Sequence, residues 1–223
     1  AVEGGPVLDV GCGPGPLTAA LAARFGPENV AAIDPSAPFV AACRARVPGA
    51  DVRVGAAETL PFPDGAFGGA LSQLVLSFVS DPGRVGAELS RVVRRGGVVA
   101  ACTFDAYGFD LGCAFWEAAR RLDPGAPDDA TIPFRRTSEL LALWSRAGFR
   151  DVATGTIDLE ARYAGFDDCW SPFAFGIGPA GSWLVAQDEP RRAAIRDAFF
   201  EALGRPAGAF ALRARVLAIR GRV

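Results

Sequence analysis

The sequence predicts an α/β fold built on a mostly parallel sheet. Short apolar runs alternate with helical patterns through the first two-thirds of the chain, and a glycine-rich turn joins the first run to the first helix. The length of 223 residues, with 50% hydrophobic and 22% charged residues, suits one globular domain of ordinary to large size with a substantial core.

Val7 to Val10 reads as a buried strand, followed by Gly11-Cys12-Gly13-Pro14-Gly15. From Leu17 to Phe25 the residues Leu17, Leu21 and Phe25 share one helical face, and Gly26-Pro27 stops the helix. Val30 to Asp34 is a second strand, and Ser36 caps a helix through Phe39, Val40 and Cys43. Val52 to Val54 is a short third strand, and Leu60 to Gly65 a turn-rich loop. Phe67 to Val75 reads as a fourth strand. Asp81-Pro82 opens a helix with a cap and a first-turn proline, carrying Val85, Leu89, Val92 and Val93 to a stop at Arg94-Arg95-Gly96-Gly97. Val98 to Thr103 is the fifth strand.

There the alternation breaks. Residues 104–136 form an insertion with a helix around Cys113 to Leu122. Thr137-Ser138-Glu139 starts a helix through Trp144 that ends at Gly148, and Val152 to Leu159 is a strand. Residues 160–205 form a second insertion, with an aromatic segment from Tyr163 to Trp183 and a helix from Glu189 to Leu203. Phe210 to Ile219 reads as the last strand. The organisation expected is one domain over 1–223, with 1–103 as its ligand-binding half and the insertions on the substrate side.

Composition narrows the chemistry. Net charge is −2, which marks neither a nucleic-acid partner nor an anionic membrane surface. The sequence has no His and no Met, and all 23 cations are Arg. Without Lys there is no Schiff-base lysine and no P-loop lysine; without His there is no Ser-His-Asp triad and no His-ligated zinc. The five cysteines are odd in number and never spaced C-x-x-C, so they read as reduced thiols of a cytoplasmic protein and not as a metal site. The apolar stretches are too short for a transmembrane span.

A glycine turn after a first strand lets backbone approach a ligand at the carboxyl edge of the sheet. The spacing here is Asp9-x-Gly11-x-Gly13-x-Gly15, with Pro16 where a dinucleotide fingerprint needs its third glycine. Asp34 ends the next strand, where a carboxylate can accept both hydroxyls of a ribose.

With these features in place, Val7 to Gly15 resembles the first motif of the class I S-adenosylmethionine-dependent methyltransferases. Gly55-Ala56-Ala57-Glu58-Thr59-Leu60-Pro61-Phe62 resembles the adenine-side loop of their small-molecule group, which includes the ubiquinone/menaquinone-type enzymes. Ser72 to Phe78 resembles the fourth-strand motif, and Leu89 to Gly97 the helix-turn-strand leading into strand five. The specific match covers roughly residues 5–105. It implies a Rossmann-like, doubly wound seven-stranded sheet of order 3-2-1-4-5-7-6 with one antiparallel strand, the cofactor S-adenosyl-L-methionine, and a small-molecule methyl acceptor. By the same resemblance Asp9 sits near the methionine amino group. Gly11, Cys12, Gly13 and Gly15 line the methionine and ribose, and Asp34 with Pro35 meets the ribose. Ala56, Ala57 and Glu58 flank the adenine, and Gln73 with Leu74 flanks the reacting methyl.

The chain departs from the family pattern at Ala56, where an Asp is usual, and at Gly68, where an acid usually precedes the fourth strand. The family also usually carries an N-terminal helix that closes over cofactor and substrate, so the chain is expected to be truncated at its front.

Methyl transfer from a sulfonium needs alignment and exclusion of water more than a protein nucleophile. No catalytic base is assigned; Asp105, Asp167 and Asp168 are the carboxylates weighed. On the acceptor side the expected residues are Ser77, Phe78, Trp116 and Trp170, from a set of aromatic residues able to wall a pocket. Arg135 and Arg136 are weighed as contacts to an acidic substrate. The alternatives are a non-catalytic cofactor-binding homologue and a nucleotide-dependent oxidoreductase.

Overall fold

The computed structural model describes residues 5–128 and 131–223. Seven strands form one sheet of order β3-β2-β1-β4-β5-β7-β6. They are β1 (Val7–Val10), β2 (Val30–Asp34), β3 (Asp51–Val54), β4 (Phe67–Gln73), β5 (Val93–Phe109), β6 (Arg150–Tyr163) and β7 (Phe210–Arg222). The helices are α1 (Pro16–Phe25), α2 (Ala37–Arg46), α3 (Pro82–Val92), α4 (Asp110–Leu122), α5 (Thr137–Arg146), α6 (Phe166–Ala174), α7 (Gly178–Val185) and α8 (Glu189–Ala202). The sheet is the mostly parallel Rossmann-like type that the motifs imply. β1 pairs in parallel with β2 and β4, β2 with β3, and β4 with β5. At the other end of the sheet Gly96 N–H donates to the Val223 carbonyl while Val223 N–H donates to Gly97. That reciprocal exchange is the antiparallel pattern.

Packing divides the chain into two compact units, Ala1–Thr103 with Arg136–Gly155 and Leu217–Val223, and Phe104–Arg135 with Thr156–Val216. In the first, every residue of β1 and β2 is buried, as strands covered on both faces must be. α1 and α2 cover them with Leu21, Val40 and Cys43. α3 and α5 supply Val85, Leu89, Leu140, Leu143 and Trp144, and Gly86 lets the two helices close: a Cβ there would stand 3.1 Å from that of Ala147. In the second unit α4, α6, α7 and α8 enclose an aromatic core around Phe115, Trp116, Phe173 and Phe199.

Several boundaries differ from the pattern reading. β4 stops at Gln73 instead of Val75, because Leu74 turns into the left-handed region at φ 61. α3 ends at Val92 and β5 begins at Val93, before the Arg-Arg-Gly-Gly signal. Phe67 pairs with Val93 but Gly69 pairs with Val98, so residues 94–97 bulge out of the ladder, helped by Gly96 at φ 76. β5 also runs on to Phe109, six residues past its expected end. The Tyr163–Trp183 segment, read only as aromatic, is mostly helical, with Pro172 inside α6.

Candidate cofactor site

The site is built where β1 meets α1. Gly15 is the N-cap of α1 in the left-handed conformation (φ 89), with Pro16 in the first turn. A Cβ on Gly15 would lie 2.7 Å from Cys43 Sγ, so glycine is needed both for its conformation and for the approach of α2. Gly11, at φ 75, is as constrained: a Cβ there would stand 2.3 Å from Val75 Cγ2. Gly13 is left-handed too (φ 52) but has nothing within 4 Å of its Cβ position. Its Cβ position faces open space, unlike those of Gly11 and Gly15.

Two carboxylates flank the turn. Asp34 Oδ2 accepts from Gly13 N–H at 2.9 Å, and Oδ1 from Ser36 N–H at 2.9 Å. The acid at the end of β2 therefore holds the glycine loop and starts the turn into α2. Each oxygen keeps a further acceptor site, so a diol can be received without breaking these bonds. Asp9 is wholly buried. Thr18 Oγ1 donates to its Oδ2 at 2.6 Å, while Oδ1 has no hydrogen-bond partner. Burial pushes its pKa up to about 6, against the lowering effect of the Thr18 bonds. A buried carboxylate oxygen without a donor is costly unless a cation or donor meets it. The site thus fits a ligand carrying an ammonium group and a ribose.

The other expected residues fall around this edge. Pro35 is exposed beside Asp34, and Cys12 is buried among Ala32, Val40, Cys43 and Val52. Ala57 is buried and Ala56 exposed. Glu58 Oε1 accepts from Ser80 N–H (2.9 Å) and Oγ (3.0 Å), tying its loop to the segment after β4. Desolvation works against the Glu58 charge, but these and neighbouring backbone bonds outweigh it and lower its pKa. Gln73 is exposed at the end of β4, and Leu74 is held by its N–H bond to the Cys102 carbonyl at 2.9 Å. A left-handed non-glycine costs about 1–3 kcal/mol and collects at functional sites.

On the acceptor side, Ser77 Oγ lies 3.4 Å from Thr103 Oγ1 and Phe78 is 60% exposed. Trp116 is 1% exposed and Trp170 packs partly buried against the same core, so both serve the interior of the second unit. The three carboxylates weighed as bases are engaged. Asp105 accepts from Tyr107 and Gly108 N–H, Asp167 pairs with Arg196, and Asp168 accepts from Ala164 N–H. Arg135 is buried with its guanidinium 5.5 Å from the Phe104 ring centroid, whereas Arg136 precedes α5 on the surface.

Pattern reading missed Thr18 and Val75. Thr18 stands in the first turn of α1 facing the preceding strand, a placement its sequence position does signal. Val75 over Gly11 had no such signal. A separate apolar cavity of 440 Å³ lies over the sheet beside Leu17, lined by Leu71, Gln73, Ala100, Cys102 and Ala218 among others. Among the described residues there is no cluster of metal-ligating side chains, and no helix is long and apolar enough to cross a membrane.

Fold and site together define a Rossmann-like domain with a glycine turn between its first strand and first helix. Residues 8–101 match the family described as the methyltransferase domain. That match takes in less than half of the chain. The chain is 32% identical over 154 residues to malonyl-[acyl-carrier protein] O-methyltransferase of Geobacter sulfurreducens, covering 68% of this chain and 58% of that one. It is 32% identical over 148 residues to 2-methyl-6-phytyl-1,4-hydroquinone methyltransferase 2 of rice, covering 66% and 39%. The chain spans 29%, 39% and 58% of the length of the first three curated relatives it matches. In fold it resembles the YcgJ protein of Bacillus subtilis, with a TM-score of 0.62 at 20% identity over 98% of this chain and 92% of that one.

Proposed function

We propose that this chain binds S-adenosylmethionine at the β1–α1 turn and transfers its methyl group to a small-molecule acceptor. The buried Asp9 carboxylate, with an oxygen that no protein donor meets, carries the reading. It is the group suited to the ammonium of an amino-acid moiety. Asp34, fixed by Gly13 and Ser36, is placed to accept a ribose diol. Half-buried Gly13, with open space at its Cβ position, leaves room for the ligand, and residues 56–58 border the base.

When bound, the cofactor supplies a methyl on a sulfonium whose leaving group is a neutral thioether, so no protein nucleophile is required. The chain's own work is to align and to exclude water. Leu74, set in the left-handed conformation, turns the chain after β4 so that Ser77 and Phe78 border the acceptor. The names of the hydroquinone and malonyl-carrier relatives support a small acceptor group.

The test is methyl transfer from labelled S-adenosylmethionine across a panel of phenols, carboxylates, amines and carbon acids. Label in one acceptor, lost in Asp9→Asn, supports the reading. Tight cofactor binding without turnover on any acceptor favours a binding-only homologue instead. Binding of NADH in preference to the adenosyl ligand contradicts the reading.

A further inference from the structure

α3 carries three charged residues on one face, Arg84, Glu88 and Arg91, spaced four and three apart. All three face the backbone of the loop that precedes β4. Arg84 Nε donates to the Glu58 carbonyl at 2.9 Å. Leu60 N–H donates to Glu88 Oε2 at 2.7 Å. Arg91 donates to the carbonyls of Leu60 (3.0 Å) and Phe62 (2.8 Å) and to Asp64 Oδ1 (2.7 Å). Arg91 is itself held by Glu88 at 2.7 and 2.8 Å, and Gly65 N–H closes back on the Arg91 carbonyl at 2.9 Å.

The carbonyls engaged belong to residues 58, 60 and 62, in a stretch of turns and bends outside the sheet. A loop with no ladder partners has thus been given side-chain partners instead. Glu88 is only 16% exposed and its charge is stabilised chiefly by Arg91, so the clamp is partly desolvated and stiffer than a surface pair. From the other side Arg53 donates to the Pro61 carbonyl at 2.9 Å and lies 4.6 Å from the Phe62 ring centroid.

We propose that Arg84, Glu88 and Arg91 are positioning residues that fix the backbone of residues 58–64 and thereby set how selectively the site reads the cofactor's base. The proposal rests on the function reading above, in which residues 56–58 border that base. None of the three is asked to touch the ligand. A rigid backbone discriminates between bases because its donors and acceptors cannot shift to suit the wrong one.

The experiment compares S-adenosylhomocysteine with S-inosylhomocysteine, which differs only in the base, by calorimetry on wild type, Arg91→Gln and Arg84→Gln. Wild type is expected to prefer the adenosyl ligand. Arg91→Gln is expected to lower that preference about tenfold, and Arg84→Gln, which loses a single carbonyl contact, by less. Hydrogen exchange at the Leu60 amide should quicken in Glu88→Gln. A merely structural clamp would weaken both ligands alike and leave their ratio unchanged. An unchanged ratio in folded Arg91→Gln, or in Arg84→Gln should Arg91→Gln not fold, overturns the proposal while leaving the function reading intact. Equal binding of both ligands by wild type overturns it as well. Wild type that binds neither overturns the function reading and this inference together.

Discussion

The glycine turn of the first unit and the aromatic core of the second are the two most conspicuous stretches of this sequence, and they work in opposite ways. The turn is made of residues with almost no side chain. What matters there is backbone conformation, as in the left-handed glycines 11, 13 and 15, with one carboxylate, Asp34, met by backbone donors and another, Asp9, with an oxygen that has none. The second unit's conspicuous residues are large rings. Phe115 stacks on Phe173 at 4.4 Å and meets Trp116 edge-on at 5.1 Å, and Phe199 closes the group. A ring fully enclosed by other rings has no face left for a substrate. Aromatic richness therefore signals stability in the second unit, while in the first, glycines in left-handed conformations build the turn proposed to meet the ligand.

The largest expected effect tests the core side of this contrast. Phe115→Ala should cost about 3–5 kcal/mol, because a wholly buried ring leaves a cavity its neighbours cannot fill. Urea denaturation measures it. A cost near zero would mean the ring is not core, and would reopen the second unit as a binding surface.

The next effects concern the turn. Gly11→Ala combines a positive φ with a Cβ too close to Val75, and should cost about 1–3 kcal/mol of stability, read from the same denaturation midpoint. Asp34→Ala removes the acceptor for Gly13 and Ser36 N–H and, in the proposed function, a charge-assisted partner of the ligand. It should weaken S-adenosylhomocysteine binding by about 1–3 kcal/mol, measured by calorimetry.

Asp9 gives a pH signature. Its pKa is raised from 3.8 to about 6, so its favourable contribution to the ligand-free fold is full below 3.8 and is lost as pH rises through 6. Asp9→Asn should therefore stabilise the ligand-free protein at about pH 8, by roughly 1–2 kcal/mol, and change little at about pH 4. The same substitution should weaken ligand binding at the higher pH. A variant less stable than wild type at about pH 8 would show that Asp9 is already satisfied within the protein.

How far the sequence was legible follows the same division. Parallel βαβ units announce themselves through short apolar runs and caps, so Asp81-Pro82 and Ser36 located the starts of α3 and α2 to the residue. The glycine spacing located the turn. Where tertiary pairing overrides local punctuation, the pattern failed: Arg94 to Gly97 look like a helix stop, yet they form a bulge inside β5 because Val93 already pairs with Phe67. Trp116 and Trp170 carried no mark to separate a core ring from a pocket ring. That distinction lies in which helices enclose them, and periodicity alone does not contain it.

The central claim is that the β1–α1 turn binds an adenosyl amino acid. Its most direct test is a calorimetric titration of S-adenosylhomocysteine into this chain, with NADH as the control ligand. The account predicts binding in the micromolar range, clearly weakened in Asp34→Ala, and no heat from NADH. Absence of S-adenosylhomocysteine binding, or affinity unaltered in Asp34→Ala, would contradict it.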